Sequence, residues 1–268
     1  MIRISFMVCV AALAMWASAA MAEQGSVAVV RIAVLSQLVE RPPALSNLEV
    51  PPDDSGLLGA RMAIMENNTT GRFMKQRFEL REKIVPVRGD VVAAFKELVG
   101  DGFRFIVANL SPGSLLRVAD LPEAKDVVIF NAGAPDDILR NEQCRANILH
   151  TIPSRAMMAD ALAQYLVWKR WPKWFLVVGR RKEDRLFAEA LKRAANRFGA
   201  KIVTEKVWAF GPDARRTAKL EVPVFTQGVD YDVLIAADEI GEFGEYLMYR
   251  TWEPRLVAGT QGRGEAFP

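Results

Sequence analysis

The sequence predicts an α/β protein built as two units, each a mostly parallel sheet flanked by helices. Three observations support this. Past residue 26, apolar β-type runs alternate with amphipathic helical stretches, the pattern of a parallel sheet covered on both faces. The alternation starts afresh after "NILHTIPS" (147–154). The chain has 268 residues and 51% are apolar, enough for one large core or two modest ones.

In the first unit, "VAVVRIAVL" (27–35) reads as a strand. "GLLGARMAIMENN" follows as a helix, with Leu58, Met62 and Met65 spaced to make one buried face. "RFELREKIV" is a strand. "DVVAAFKELVGDG" is a helix capped by Asp90 and stopped by Gly100 or Gly102. "FRFIVANL" is a strand, "SLLRVADLPEAK" a short helix and "VVIF" (127–130) a strand. The second unit opens with a helix over 155–170, its core side formed by Met158, Ala161, Leu162, Tyr165 and Leu166. "WFLVV" is a strand. "EDRLFAEALKRAANRFG" is a helix with the stripe Leu186, Ala190, Leu191, Ala194 and Phe198, ended by Gly199. "KIVTEKVWAF" and "YDVLIAA" are strands, "EIGEFGEYLMYR" a helix and "RLVAG" a last strand. One long irregular loop, 40–55, carries four prolines and two aspartates, and a loop of that length is often functional.

The N-terminus reads as an export signal. Arg3 is a short basic region, "ISFMVCVAALAMW" an apolar core too short to span a bilayer with ease, and Ala20 and Ala22 fit the small-residue cleavage pattern. Cleavage is placed after Ala22, and a soluble periplasmic protein is expected. Removing residues 1–22 takes away Arg3 alone among 35 Lys+Arg and none of the 32 Asp+Glu, which leaves a formal +2. So mild a charge argues against a nucleic-acid partner. Cys144 is then the single cysteine, so no intramolecular disulfide forms. Asn67 and Asn68 each begin an N-x-Thr pattern, relevant only to a glycosylating pathway.

In open α/β sheets, ligands meet the loops at the carboxyl ends of the strands. Two units joined near 147–153 imply a cleft, and three sets of strand-end residues stand out. "NLSPGSLL" (109–116) places Ser111, Gly113 and Ser114 at a helix start, where unpaired N–H groups and the helix dipole favour an anion. A plain helix cap is an equally good reading of either serine. In "FNAGAPDDILR", Asn131, Ala132 and Gly133 are small enough to admit a ligand to the backbone, and Asp136 and Asp137 suit an amine or cation. Capping of the short turn is the favoured reading of the two aspartates. On the second unit, "VVGRRKED" (177–184) and "AADEIGE" (236–242) are strand exits carrying Arg180, Arg181, Asp184, Asp238 and Glu239. Asp184 also reads as a helix cap, and the arginines as solvated.

Enzyme readings fare poorly. The loop after the first strand lacks the dinucleotide glycines, and no Walker A or Gly-x-Ser-x-Gly motif occurs. His150 is the only histidine and has no neighbouring carboxylate in sequence, so a structural role is favoured. Cys144 has no evident partner for redox or nucleophilic work. A metal site from Asp136, Asp137, Asp238 and Glu239 lacks calcium-loop spacing. No catalysis, cofactor or metal is expected.

"RIAVLSQL", "GARMAIMENNTTGRFMKQRFELRE", "FIVANLSPGSL" and "FNAGAPDDILR" together resemble the type I periplasmic solute-binding proteins of the branched-chain amino-acid kind. The second quotation matches their first helix, Asn–Gly turn and second strand. The longer stretches at 130–171, 213–228 and 243–262 resemble the substrate-binding proteins encoded beside pyrroloquinoline-quinone-dependent alcohol dehydrogenase systems. The resemblance covers 27–262; with the signal over 1–22 and a tail over 263–268 that has no helical or strand period, it implies a first lobe over 23–150 and a second over 151–262. It implies a monomer that binds a small polar solute and docks on ABC permease subunits, or alternatively a ligand sensor for a membrane receptor. Departures accompany it. Ala132 and Gly133 stand where amino-acid binders use hydroxyls, so the ligand need not be an amino acid, and Glu239 falls near their amine-binding acid. The family also continues past "VAGTQG", whereas this chain ends in "RGEAFP". That points to a truncation or frameshift, an incomplete first lobe with exposed apolar surface, and a non-functional relic as a third reading.

Overall fold

A computed structural model describes residues 27–40, 56–209, 214–239, 243 and 256–259. The chain divides into two compact units, Met1–Ala134 with Arg145–Thr151, and Pro135–Cys144 with Ile152–Pro268.

The first unit holds five parallel strands: β1 (Ala28–Gln37), β2 (Gln76–Val85), β3 (Phe105–Asn109), β4 (Val128–Asn131) and β5 (Ile148–His150), in the order β2-β1-β3-β4-β5. Its helices are α1 (Leu57–Met74), α2 (Val91–Gly100) and α3 (Pro112–Ala119). Asp90 caps α2 as expected, accepting from the N–H groups of Val92 and Ala93, and Gly102 takes the left-handed conformation just beyond it. Residues 148–150 of "NILHTIPS" pair with β4 as an edge strand, too short to show a period. One expectation fails here: the chain does not turn at Asn67–Gly71, since α1 runs on to Met74.

The larger correction concerns the face of α1. Leu58, Met62 and Met65 are 55%, 55% and 65% exposed. The helix instead meets β2 through its small and polar side. Asn68 donates to Phe78 O at 2.9 Å and accepts from Phe78 N–H at 2.8 Å, which mimics a further strand pairing. Gly71 is buried, and a Cβ there would lie 2.5 Å from Gln76 O. The apolar stripe is turned about a third of a turn away from these contacts. Periodicity shows that a stripe exists but not what covers it.

The second unit holds β6 (Lys173–Val178), β7 (Lys201–Val207), β8 (Val233–Ala237) and β9 (Leu256–Gly259), parallel in the order β7-β6-β8-β9. All of β8 and all of β6 beyond Lys173 are buried, so both faces of the sheet are covered. On one face, Trp174, Leu176 and Val178 pack with α4 (Arg155–Trp168) and α5 (Lys182–Phe198). On the other, Phe175 contacts Phe225 and Tyr231, and Trp208 meets Phe225 and Phe243 edge-on.

The core side of α4 is Ala159, Ala163 and Leu166, with Met158 and Leu162 partly buried. Ala161 and Tyr165 are outside it. The two core alanines let α4 approach α5 closely, while Tyr165 leans on Trp168 with Lys169 over the rings. On α5 the buried stripe is Phe187, Leu191, Ala194 and Ala195 with Ala188 and Ala190, whereas Leu186 is exposed. Gly199 ends α5 at φ 81°. A helix that the sequence reading passed over, α6 (Ala214–Thr226), contains Pro223, a residue that ordinarily argues against a helix interior. The loop at 41–55 and the expected helix over 239–250 lie outside the described residues, apart from Glu239 and Phe243. Among the described residues, no helix is long and apolar enough to cross a membrane.

Candidate functional site

In the first unit, the carboxyl ends of β1 and β3 carry a polar cluster at the start of α3. Ser111 is the helix cap, with its Oγ accepting from Ser114 N–H at 3.3 Å. Ser114 is buried, and its Oγ donates to Gln37 Oε1 at 3.2 Å and accepts from Arg117 Nη2 at 3.1 Å. Asn109 Nδ2 donates to Ser36 Oγ at 3.1 Å. Pro112 has no N–H and the Ser114 and Leu115 N–H groups are already bonded to Ser111. Gly113 is exposed, with open space where a Cβ would stand, and its N–H is the donor this turn leaves for a ligand. Ser36, Gln37, Asn109 and Arg117 escaped the sequence reading because ordinary polar residues at strand ends carry no distinguishing spacing.

The loop after β4 behaves differently from its composition. Asn131 is fully buried and spends its whole amide on its own turn and the neighbouring strand β5. Its Nδ2 donates to Ala134 O at 2.7 Å and to His150 Nδ1 at 3.0 Å, and its Oδ1 accepts from Gly133 N–H at 3.2 Å and Ala134 N–H at 2.9 Å. The Ala132 N–H donates to Ala108 O at 2.9 Å. The N–H groups of 132, 133 and 134 are therefore engaged, so the expectation that they offer binding energy is corrected. Gly133 is needed for closeness to protein, since a Cβ there would lie 2.5 Å from Asn109 Oδ1 and 2.8 Å from Leu110 N.

In the second unit, a buried arginine gathers the acidic residues. Arg155 Nε and Nη2 fork onto Glu239 Oε1 and Oε2 at 2.5 and 2.9 Å. Arg155 Nη1 lies 2.8 Å from Asp136 Oδ2, an ion pair off the line of a good hydrogen bond. Burial works against its charge, but the hydrogen-bonded fork to Glu239 and the negative charges of Glu239 and Asp136 outweigh burial and push the guanidinium pKa up. Asp136 makes no side-chain cap to its turn, and Asp137 Oδ1 accepts from Ala156 N–H at 3.0 Å, so neither aspartate caps the turn as expected. Both serve the start of α4 instead.

Asp184 sits at the third position of α5 rather than at its cap. Its Oδ1 accepts from Glu239 N–H at 2.8 Å and its Oδ2 from Arg181 N–H at 3.0 Å, while the Arg181 side chain is exposed. Gly179 makes room, since a Cβ would lie 2.2 Å from Asp184 Oδ2. Burial raises the Asp184 pKa, the two backbone donors pull it down, and the charges of Asp238 and Glu239 raise it further. Asp238 Oδ2 accepts from Phe243 N–H at 2.7 Å. Arg155 was missed from sequence. Its one signal is a cation in the first turn of a helix, where the dipole disfavours it. Among the described residues, no group of three or more His, Cys, Asp or Glu is placed to hold a metal.

Two parallel α/β units with polar loops at their strand ends define the class of open-sheet ligand-binding folds. A family model described as periplasmic binding protein matches residues 54–215, and the chain belongs to that family. Three solved structures share the fold. An ABC transporter substrate-binding protein from Desulfitobacterium hafniense aligns with a TM-score of 0.62 at 15% identity, covering 86% of this chain and 66% of that one. A branched-chain amino-acid ABC transporter periplasmic ligand-binding protein from Burkholderia xenovorans LB400 gives 0.64 at 15%, covering 86% and 60%. The leucine-, isoleucine-, valine-, threonine- and alanine-binding protein of Brucella ovis, in its closed conformation, gives 0.62 at 15%, covering 88% and 62%. The chain thus spans under two thirds of the length of these structures. No curated protein sequence matches it.

Proposed function

We propose that this protein is the substrate-binding component of an ABC importer. It takes a small polar solute on its strand-end loops, and the ligand-bound form docks on permease subunits at the inner membrane. The match to the periplasmic binding protein family over residues 54–215 carries this reading. Its structural neighbours, among them ABC transporter substrate-binding proteins, support it. Family membership indicates a periplasmic location. Export by the N-terminal signal with cleavage after Ala22, action as a monomer without catalysis, and a link to pyrroloquinoline-quinone-dependent alcohol catabolism complete the proposal. The Gly113 N–H, with Ser111, Ser114 and Arg117 around it, is the proposed contact for an oxygen-rich solute in the first unit. Ala132 and Gly133 shape that surface on the turn held by buried Asn131, and Asp136, Arg181, Asp184, Asp238 and Glu239 belong to the second unit's part of the site.

A thermal-shift screen of the purified protein tests this, with amino acids, short-chain alcohols and acids, pyrroloquinoline quinone, calcium and lanthanides. A solute that binds only the folded state raises Tm with concentration. A cooperative transition that no solute moves would count against the proposal.

A further inference from the structure

Asp136, Asp137, Asp184, Asp238 and Glu239 are each engaged within the second unit, and one side chain holds two of them. Asp184 is held by two backbone N–H groups, Asp238 by the Phe243 N–H and Asp137 by the Ala156 N–H. Asp136 and Glu239, with side chains 16% and 11% exposed, share Arg155, whose side chain is 3% exposed. Among the described residues, no other cation is paired with either acid. The pair to Glu239 is the two-pronged arrangement that a guanidinium makes best.

We propose that Arg155 is a specificity-determining residue of the solute site: it occupies the carboxylates of Asp136 and Glu239, where an ammonium group would be received, so the protein selects acids and alcohols without an amine over amino acids. This rests on the solute-binding reading above. An incoming ammonium would have to displace a buried fork or stand beside the guanidinium as a second cation. Like charges so juxtaposed are strongly disfavoured, and the site discriminates by repulsion as well as by attraction. A hydroxyl in the same place meets neither penalty, since it donates to a carboxylate edge without adding charge.

Titration calorimetry with matched pairs tests this: leucine against 2-hydroxy-4-methylpentanoate, alanine against lactate, and glutamate against 2-hydroxyglutarate. Each pair shares its skeleton and carboxylate and differs in ammonium against hydroxyl. The wild type should prefer the hydroxy acid by at least about tenfold. Asp136→Asn with Arg155→Ala should shift that preference toward the amino acid by about the same factor, because the doubly substituted protein keeps the local net charge and frees Glu239. Equal or tighter binding of the amino acid by the wild type would overturn the proposal and leave solute binding standing.

A second measurement needs no known solute. Arg155→Ala should lose stability, and methylguanidinium should restore its Tm well beyond an equal concentration of sodium chloride while leaving the wild type unmoved. If no member of any pair binds the wild type yet methylguanidinium rescues the variant, Arg155 is the resident cation and the solute-binding reading is the one that fails. If methylguanidinium does no more than salt, for Arg155→Ala or for the double variant, Arg155 does not occupy a cation site and the inference falls.

Discussion

Asn131→Ala removes an amide that satisfies a turn no ligand is needed to explain. Four hydrogen bonds disappear, but the cost is set by what they leave behind. The Ala134 N–H and C=O are buried and lose their partner, whereas Gly133 is half-buried and water takes its place. Each buried, unsatisfied backbone group costs about 1–3 kcal/mol, so the loss should be about 3 kcal/mol. That corresponds to a fall in Tm of about 10 °C. The substitution lies in the first unit, while Trp168, Trp171, Trp174 and Trp208 all lie in the second. Urea unfolding followed by far-ultraviolet circular dichroism should therefore show the loss, with tryptophan fluorescence reporting the other unit. Asn141→Ala is the control. Its side chain is exposed and makes one bond, to Asp137 O at 3.1 Å, so its effect should stay within about 0.5 kcal/mol. A loss below about 1 kcal/mol for Asn131→Ala would refute the view that this residue is structural and return its amide to the list of ligand contacts.

Two further outcomes follow from the packing and the charges. Met62→Gln with Met65→Gln should change stability by less than about 1 kcal/mol, because both side chains stand in solvent on α1; a loss of several kcal/mol in a denaturant series would mean that the stripe is covered. The pKa of Asp184 is raised in the folded state, so the folded protein holds that proton more tightly than the unfolded chain. Its contribution is fully present below the unfolded value, near pH 4, and is lost as pH rises through the raised one. The Tm of the wild type minus that of Asp184→Asn should therefore fall as pH rises through that window, and a difference that grows instead would contradict the burial of this carboxylate.

Much of the architecture was legible in the chain itself. Strands β1 to β4 and β6 to β9, the Asp90 cap and the Gly199 stop follow from local rules, because backbone propensity, capping and apolar runs act between residues near in sequence. What a stripe faces is not local. Leu58, Met62 and Met65 have the spacing of a buried face, yet Asn68 and Gly71 face β2, because a side-chain amide that pairs with a strand and a missing Cβ allow a closer approach than methionines do. Pro223 hid α6 and the brevity of β5 hid an edge strand. At the candidate site, the sequence determined which loops follow which strands, and so placed Ser111, Gly113, Asn131, Asp184 and Glu239 at strand ends. Only the tertiary structure decided which of their polar groups remain free. Asn131 closes on its own turn and Arg155 reaches 84 residues along the chain to Glu239, and such a partner is chosen by distance in space, which no spacing in the sequence records.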